Sequence, residues 1–177
     1  MKKVISLLLA IAVIISLVPA VFADDLPTMT VEVDKTEVQP GDTITLTLSI
    51  DQTISNLNNW EWAIYFDKDA YVKTSGELEP GCTTSIGSTA GMVGDNVDIL
   101  GKNAVRVSAL SPSGDPVTLN AGKIATVTFM ATENITAENA RIEVKTEALP
   151  DYDTLEDNSV NLAGNIIDVT VVTTEEK

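Results

Sequence analysis

Alternation is the clearest pattern in the chain. From Thr43 to Ile50 the sequence TITLTLSI sets Ile44, Leu46, Leu48 and Ile50 against three threonines and a serine. A period of two marks a strand with one buried face, and β-branched residues suit a pleated surface. The same period runs from Asn59 to Phe66, NWEWAIYF. Here it assigns Trp60, Trp62, Ile64 and Phe66 to the core and Asn59, Glu61, Ala63 and Tyr65 to the opposite face. A slip of one residue would expose two indoles and bury a carboxylate, so the register is strongly specified. This stretch is predicted to be a central strand.

Shorter runs of the same kind flank it. Met29 to Val33 reads as a first strand, and Gln39-Pro40-Gly41-Asp42 as a turn. The polar loop DQTISNLN offers Ile54 and Leu57 as pegs into the rim. Asp67 to Asp69 turns the chain, Ala70 to Ser75 forms a short strand, Glu77 to Ser85 a loop, and Val97 to Leu100 an edge strand. Ala104 to Leu110 puts Val105, Val107 and Ala109 on one side and Arg106, Ser108 and Leu110 on the other. After a loop from Ser111 to Asn120, Lys123 to Ala131 turns Ala125, Val127 and Phe129 inward. Ala140 to Thr146 and Asn165 to Val172 close the series. With no sustained helical period and about eight or nine short strands, the prediction is an all-β fold: a two-sheet sandwich with jelly-roll topology.

The first 23 residues stand apart. Lys2 and Lys3 precede an apolar run from Val4 to Val18, then Pro19, and small residues end at Ala23. That is the make-up of a secretory signal peptide, and the run is shorter than the roughly 20 residues of a membrane span. The expected organisation is a signal peptide over 1–23, a tether over 24–28, a sandwich over 29–172 and a flexible tail over 173–177. The protein is therefore expected outside the cell, with no membrane attachment after cleavage.

Charge narrows the partners. The chain carries 26 acidic and 11 basic residues, a net charge of −15, and loss of Lys2 and Lys3 makes the mature form more acidic still. Nucleic acid and anionic membranes are poor partners for such a surface. Cys82 is the single cysteine, so no internal disulfide forms and the hydrophobic core must hold the domain. With no histidine and no nearby cation, that thiol has nothing to activate it.

The absence of histidine removes the commonest general base and the usual catalytic triads. Glu61 with Asp67 or Asp69 is the one carboxylate pairing worth testing for glycosidase-type chemistry, but among 26 acids such coincidences are expected, and the reading is a non-enzyme. The acidic run Asp151 to Asp157 fails the EF-hand template, because Leu155 sits at a ligand position and Glu156 where Gly should turn the chain. It reads as a solvated loop, with a calcium site of another type as the alternative. The glycine-containing stretch 86–96 lacks the Lys and Ser or Thr of a P-loop. Asn134-Ile135-Thr136 is a glycosylation sequon. Sugar binding would rest on aromatic stacking; aromatics are only 5% of the chain, both Trp face inward, and Tyr65 with Tyr71 or Tyr152 would be a thin platform.

Taken in order, these segments resemble the cohesin family, the receptor modules of cellulosome-type assemblies. The likeness runs from about residue 29 to 172 and rests on PGDTITLTLSI, NNWEWAIYFDKDAYV, AVRVSAL with the glycine-containing loop after it, AGKIATVTFMAT and DYDTLEDNSVNLAGNIIDVTV. Phe66 departs from the family's usual Tyr. The resemblance implies a nine-stranded jelly roll, monomeric when free, that binds dockerin-containing proteins such as secreted glycoside hydrolases or scaffold proteins. No cofactor is implied in this chain; calcium belongs to the dockerin. Docking is implied on the outer face of one sheet containing the strands near 59–66, 104–110 and 123–131. Carried over by position, the contact residues are Asn59, Glu61, Ala63 and Tyr65, then Arg106, Ser108 and Leu110, then Thr126, Thr128 and Met130, with Ser113 and Gly114 in a rim loop. Leu110, Ala63 and Met130 would form the apolar centre. Glu61 stands where cohesins often present the shorter Asp, which alters reach, and Arg106 would favour an acidic partner. The competing readings are a carbohydrate-binding module and a structural or adhesive cell-surface domain.

Overall fold

The computed structural model describes residues 26–85, 90–94, 97–99 and 102–172. The expected signal peptide, the start of the tether and the tail 173–177 lie outside these residues, as does part of the 86–96 stretch. The described residues form β1 (Thr28–Val33), β2 (Glu37–Val38), β3 (Thr43–Ile50), β4 (Ile54–Leu57), β5 (Asn59–Phe66), β6 (Tyr71–Leu78), β7 (Thr83–Ser85) and β8 (Ala90–Val93). They continue with β9 (Val97–Ile99), β10 (Lys102–Leu110), β11 (Val117–Leu119), β12 (Gly122–Ala131), β13 (Ile142–Ala148), β14 (Asn161–Ala163), β15 (Ile166–Ile167) and β16 (Thr170–Val171). β1, β3, β5, β6, β10, β12 and β13 are the long strands; the rest are fragments of two to four residues.

Two sheets carry the sandwich. One has the order β14-β1-β3-β12-β6, the other β15-β13-β5-β10-β8, with β9 also pairing β10. Smaller sheets, β4-β11-β7 and β16-β2, close the rim. β3 is buried on its predicted side, with Ile44, Leu46 and Leu48 fully enclosed. Across the sandwich Trp60, Trp62 and Ile64 of β5 are equally enclosed, so the inward set expected for both strands is the observed core. Phe66 of β5 and Phe129 of β12 join the sheets with ring centroids 4.9 Å apart. Trp62 Nε1 donates to Thr146 Oγ1 at 3.1 Å, which pairs a buried polar atom that would otherwise cost about 1–3 kcal/mol.

Short strands occupy several stretches expected to be loops. Ile54 and Leu57 are buried as expected, but they do so as part of β4, which pairs with β11 inside the predicted Ser111–Asn120 loop. The expected final strand over 165–172 is split: β15 joins β13 and β16 joins β2. Gly164, with φ +67 and the backbone of Val31 where a side chain would go, turns the chain between β14 and β15. At the opposite edge β6 and β8 close on each other. A Cβ on Gly76 would run into Val93 and one on Gly91 into Leu78, so both glycines are there for close approach.

Candidate functional site

β5 lies between β10 and β13, and residues directly opposite each other in antiparallel strands share a face. Register therefore maps the outer surface of this sheet row by row. Leu110 stands beside Asn59; Met92 of β8, Ser108 and Glu61 form the next row. Arg106, Ala63 and Lys145 follow, then Tyr65, Glu143 and Ile166. The edges are apolar and open: Met92 is 57% exposed, Leu110 49% and Ile166 47%.

The middle is polar and largely self-satisfied. Arg106 Nη1 lies 3.3 Å from Glu61 Oε1 and 3.4 Å from Oε2. Lys145 Nζ pairs with Glu143 at 3.5 Å and sits 5.6 Å from the Tyr65 ring centroid. Tyr65 Oη donates to Glu147 Oε1 at 2.6 Å. Partial burial, then this bond to a carboxylate, pushes the Tyr65 phenol up to about 12, because both favour the neutral form. The sheet thus offers a ribbon of paired charges between two apolar margins.

The structure overturns two of these expectations. Thr126, Thr128 and Met130 do not join the face: β12 pairs with β3 and β6 in the five-stranded sheet, so their outward side is the opposite surface of the sandwich. The neighbour of β5 in their place is β13. Ala63 has the predicted direction but is fully buried, since Arg106 and Lys145 stand directly beside it in register and their long stems cover a methyl group. Arg106, expected to favour an acidic partner, is paired with Glu61 within the chain. Asn59, Glu61, Tyr65, Arg106, Ser108 and Leu110 are brought together as predicted.

Ser113 and Gly114 lie in the loop just beyond Leu110, where the Ser113 hydroxyl donates to Asp115 at 2.6 Å and Gly114 adopts φ +80. Glu61 cannot pair with Asp67 or Asp69 for catalysis. Asp67 is six positions along an extended strand, about 20 Å away at roughly 3.3 Å per residue, against the roughly 5–10 Å such pairs need. Asp67 moreover caps its own turn, accepting the Asp69 N–H at 2.8 Å. Tyr71 is buried, 1% exposed, with its hydroxyl on Ala140 O at 2.7 Å, which removes it from any sugar platform. Cys82 is buried, and that burial raises its thiol pKa, so its nucleophilicity is suppressed.

The loop 149–158 hangs at the Asn59 end of the same face. Asp151 Oδ1 accepts the N–H groups of Asp153 and Thr154 at 3.0 Å each, and Oδ2 accepts Asn56 Nδ2 at 3.1 Å. The Thr154 N–H foremost, then the other donors, holds the Asp151 carboxyl below the usual carboxylate range. These acids therefore brace the loop; among the described residues no group of three or more His, Cys, Asp or Glu side chains is placed to hold a metal ion. At the other end of β5 an open cleft of about 570 Å³ is lined by Phe66, Asp67, Lys68, Arg141 and Glu143 among others, with charges of both signs.

Sequence reasoning missed Met92, Glu143, Lys145, Glu147 and Ile166. The alternation of Glu143-Val144-Lys145 was a readable signal for β13, but the register shift between Thr146 and Ala148 breaks its phase.

Neither a protein-family model nor a curated protein matches the sequence. Solved structures do match the fold. A type I cohesin–dockerin complex of OlpC from Clostridium thermocellum aligns at TM-score 0.55 and 15% identity, covering 86% of this chain and 99% of that one. The seventh ScaB type I cohesin from Pseudobacteroides cellulosolvens gives TM-score 0.54 at 13% identity, with 85% and 95% covered. A type II cohesin, A11, from Bacteroides cellulosolvens gives 0.52 at 18% identity, with 82% and 99% covered. The chain therefore has a cohesin-type fold.

Proposed function

We propose that this protein is a secreted, non-catalytic binding module whose six-stranded sheet receives a dockerin-bearing partner. The observation that carries the reading is the outer face of that sheet. Leu110 and Met92 form an exposed apolar margin beside a ribbon of fixed charges and hydrogen-bonding groups: Asn59, Glu61, Ser108 and Arg106. Exposed apolar side chains can anchor a partner while neighbouring charges and hydrogen-bonding groups fix its register, although here the charges run between the apolar residues instead of around them. The OlpC cohesin, which shares the fold, is in complex with a dockerin, and that supports the choice of partner. Calcium enters through the partner, and the leader-like first 23 residues support export.

Direct polysaccharide binding has less to support it, because Trp60 and Trp62 are fully buried and Tyr71 nearly so. The test is capture on the immobilised chain from the secretome of the source organism, with calcium and then with chelator. Recovery of a dockerin-bearing protein that is lost on chelation is expected, since removing the metal unfolds a calcium-dependent partner. Retention on cellulose or xylan in the absence of any protein partner would overturn the proposal.

A further inference from the structure

Four charged side chains around the cleft at the Phe66 end of β5 hold no opposite charge. Lys68 and Asp69 lie in the turn after β5, Glu138 in the connection from β12 to β13, and Arg141 just before β13. All four are exposed, and none makes an ion pair or a side-chain hydrogen bond among the described residues. Elsewhere Lys35, Arg106, Lys123 and Lys145 each hold a carboxylate at 2.6–3.5 Å. Acids outnumber bases 26 to 11 in this chain, so carboxylates for Lys68 and Arg141 are plentiful, yet both cations stand open to the same cleft.

The walls of this cleft are fixed from within. Asp67 O accepts the N–H groups of Ala70 and Tyr71 at 3.1 and 3.0 Å, and Thr132 Oγ1 donates to Asp69 O. In the facing loop the Thr136 N–H donates to Asn139 Oδ1 at 2.7 Å and Asn139 Nδ2 to Asn134 O at 3.1 Å. The bond from Tyr71 Oη to Ala140 O ties the two walls together. A volume of about 570 Å³ is within the range of small-molecule sites. The open groups state what would fill it. Asp69 and Glu138 as carboxylates only accept, and so call for hydroxyl donors, while Lys68 and Arg141 only donate, and so call for an anion. Asp67 and Glu143 also line the cleft, and their charge opposes a doubly charged phosphate more than a single carboxylate. We infer that the cleft binds a carboxylate-bearing sugar, a short uronic-acid chain. Its carboxylate meets Lys68 and Arg141, and its ring hydroxyls meet Asp69, Glu138 and the Asn103 amide. An acidic peptide, with few hydroxyls, matches only the cationic half, and a neutral chain such as cellulose leaves both cations without an anion.

The test is titration of the free chain with trigalacturonate, followed by amide chemical shifts, beside galactotriose and inorganic phosphate. Saturable shifts at residues of the cleft are expected with trigalacturonate and not with the other two. Combining Lys68→Ala with Arg141→Ala should weaken that binding by about tenfold or more, since two charge-assisted contacts are lost. The thermal midpoint should stay within roughly 2 °C, because both side chains are exposed and unpaired. Absence of saturation in the wild type, equal affinity in the double variant, or equal binding of galactotriose or phosphate would each overturn the inference. None of these results bears on docking at the sheet, which involves neither cation.

Discussion

Reversing the charge of Glu61 tests how the polar ribbon is built. Glu61 is partly buried, its side chain 18% exposed, while Arg106, diagonally across on β10, is 43% exposed, and the two meet at 3.3 Å. With one partner this open, solvent screening limits the pair to about 0.5–1 kcal/mol. Glu61→Lys removes that contribution and places two cations at similar separation, adding roughly 1 kcal/mol of repulsion in a water-like medium. The total of about 1.5–2 kcal/mol corresponds to a midpoint roughly 3–8 °C lower for a domain of this size. Scanning calorimetry on Glu61→Lys, Arg106→Glu and the double exchange forms the assay. The exchanged pair should recover most of the lost stability, because contacting charges couple. Failure of the double exchange to recover it, or a single-variant fall well beyond 10 °C, would refute the ion-pair account and make Glu61 a packing residue. Dockerin capture should be weakened in Glu61→Lys and should not return with the exchange, since reversed charges present the wrong pattern to a partner.

Two further outcomes follow from the interior and from the phenols. Phe129→Ala removes the ring that meets both Phe66 and Tyr71 and should cost about 3–5 kcal/mol in urea unfolding; a loss below 1 kcal/mol would mean that the sheets do not pack through it. Tyr65 is held protonated up to about 12 in the folded chain, whereas an unfolded tyrosine ionises near about 10. Its contribution to stability is therefore complete below about pH 10 and lost as pH rises towards 12. The stability difference between the wild type and Tyr65→Phe should shrink over that window, and a flat difference would contradict the assignment.

Much of this was legible in the sequence, and the errors have a common cause. Alternation fixes which side chains of a strand share a face, so the inward sets of β3, β5, β10 and β12 could be read directly. It does not reveal which sheet a strand enters. The family resemblance placed β12 on the docking sheet with β5, with Thr126, Thr128 and Met130 on its outer face, yet it pairs with β3 and β6 in the other sheet. Direction also differs from exposure: Ala63 points outward and is buried because its cross-strand neighbours are Arg106 and Lys145. Met92 was hidden in a glycine-containing stretch with only Ala90–Val93 as strand, too short for a period to register.

The central claim is that the partner docks on the six-stranded sheet and not on its opposite. Leu110 and Met130 give a matched comparison, being exposed apolar residues, 49% and 37% open, on strands of the two different sheets. Each is replaced by Asp, and affinity for the captured dockerin-bearing protein is measured by titration calorimetry. The account predicts at least a tenfold loss for Leu110→Asp and no more than a twofold change for Met130→Asp. Loss of binding through Met130→Asp with Leu110→Asp unaffected would contradict it.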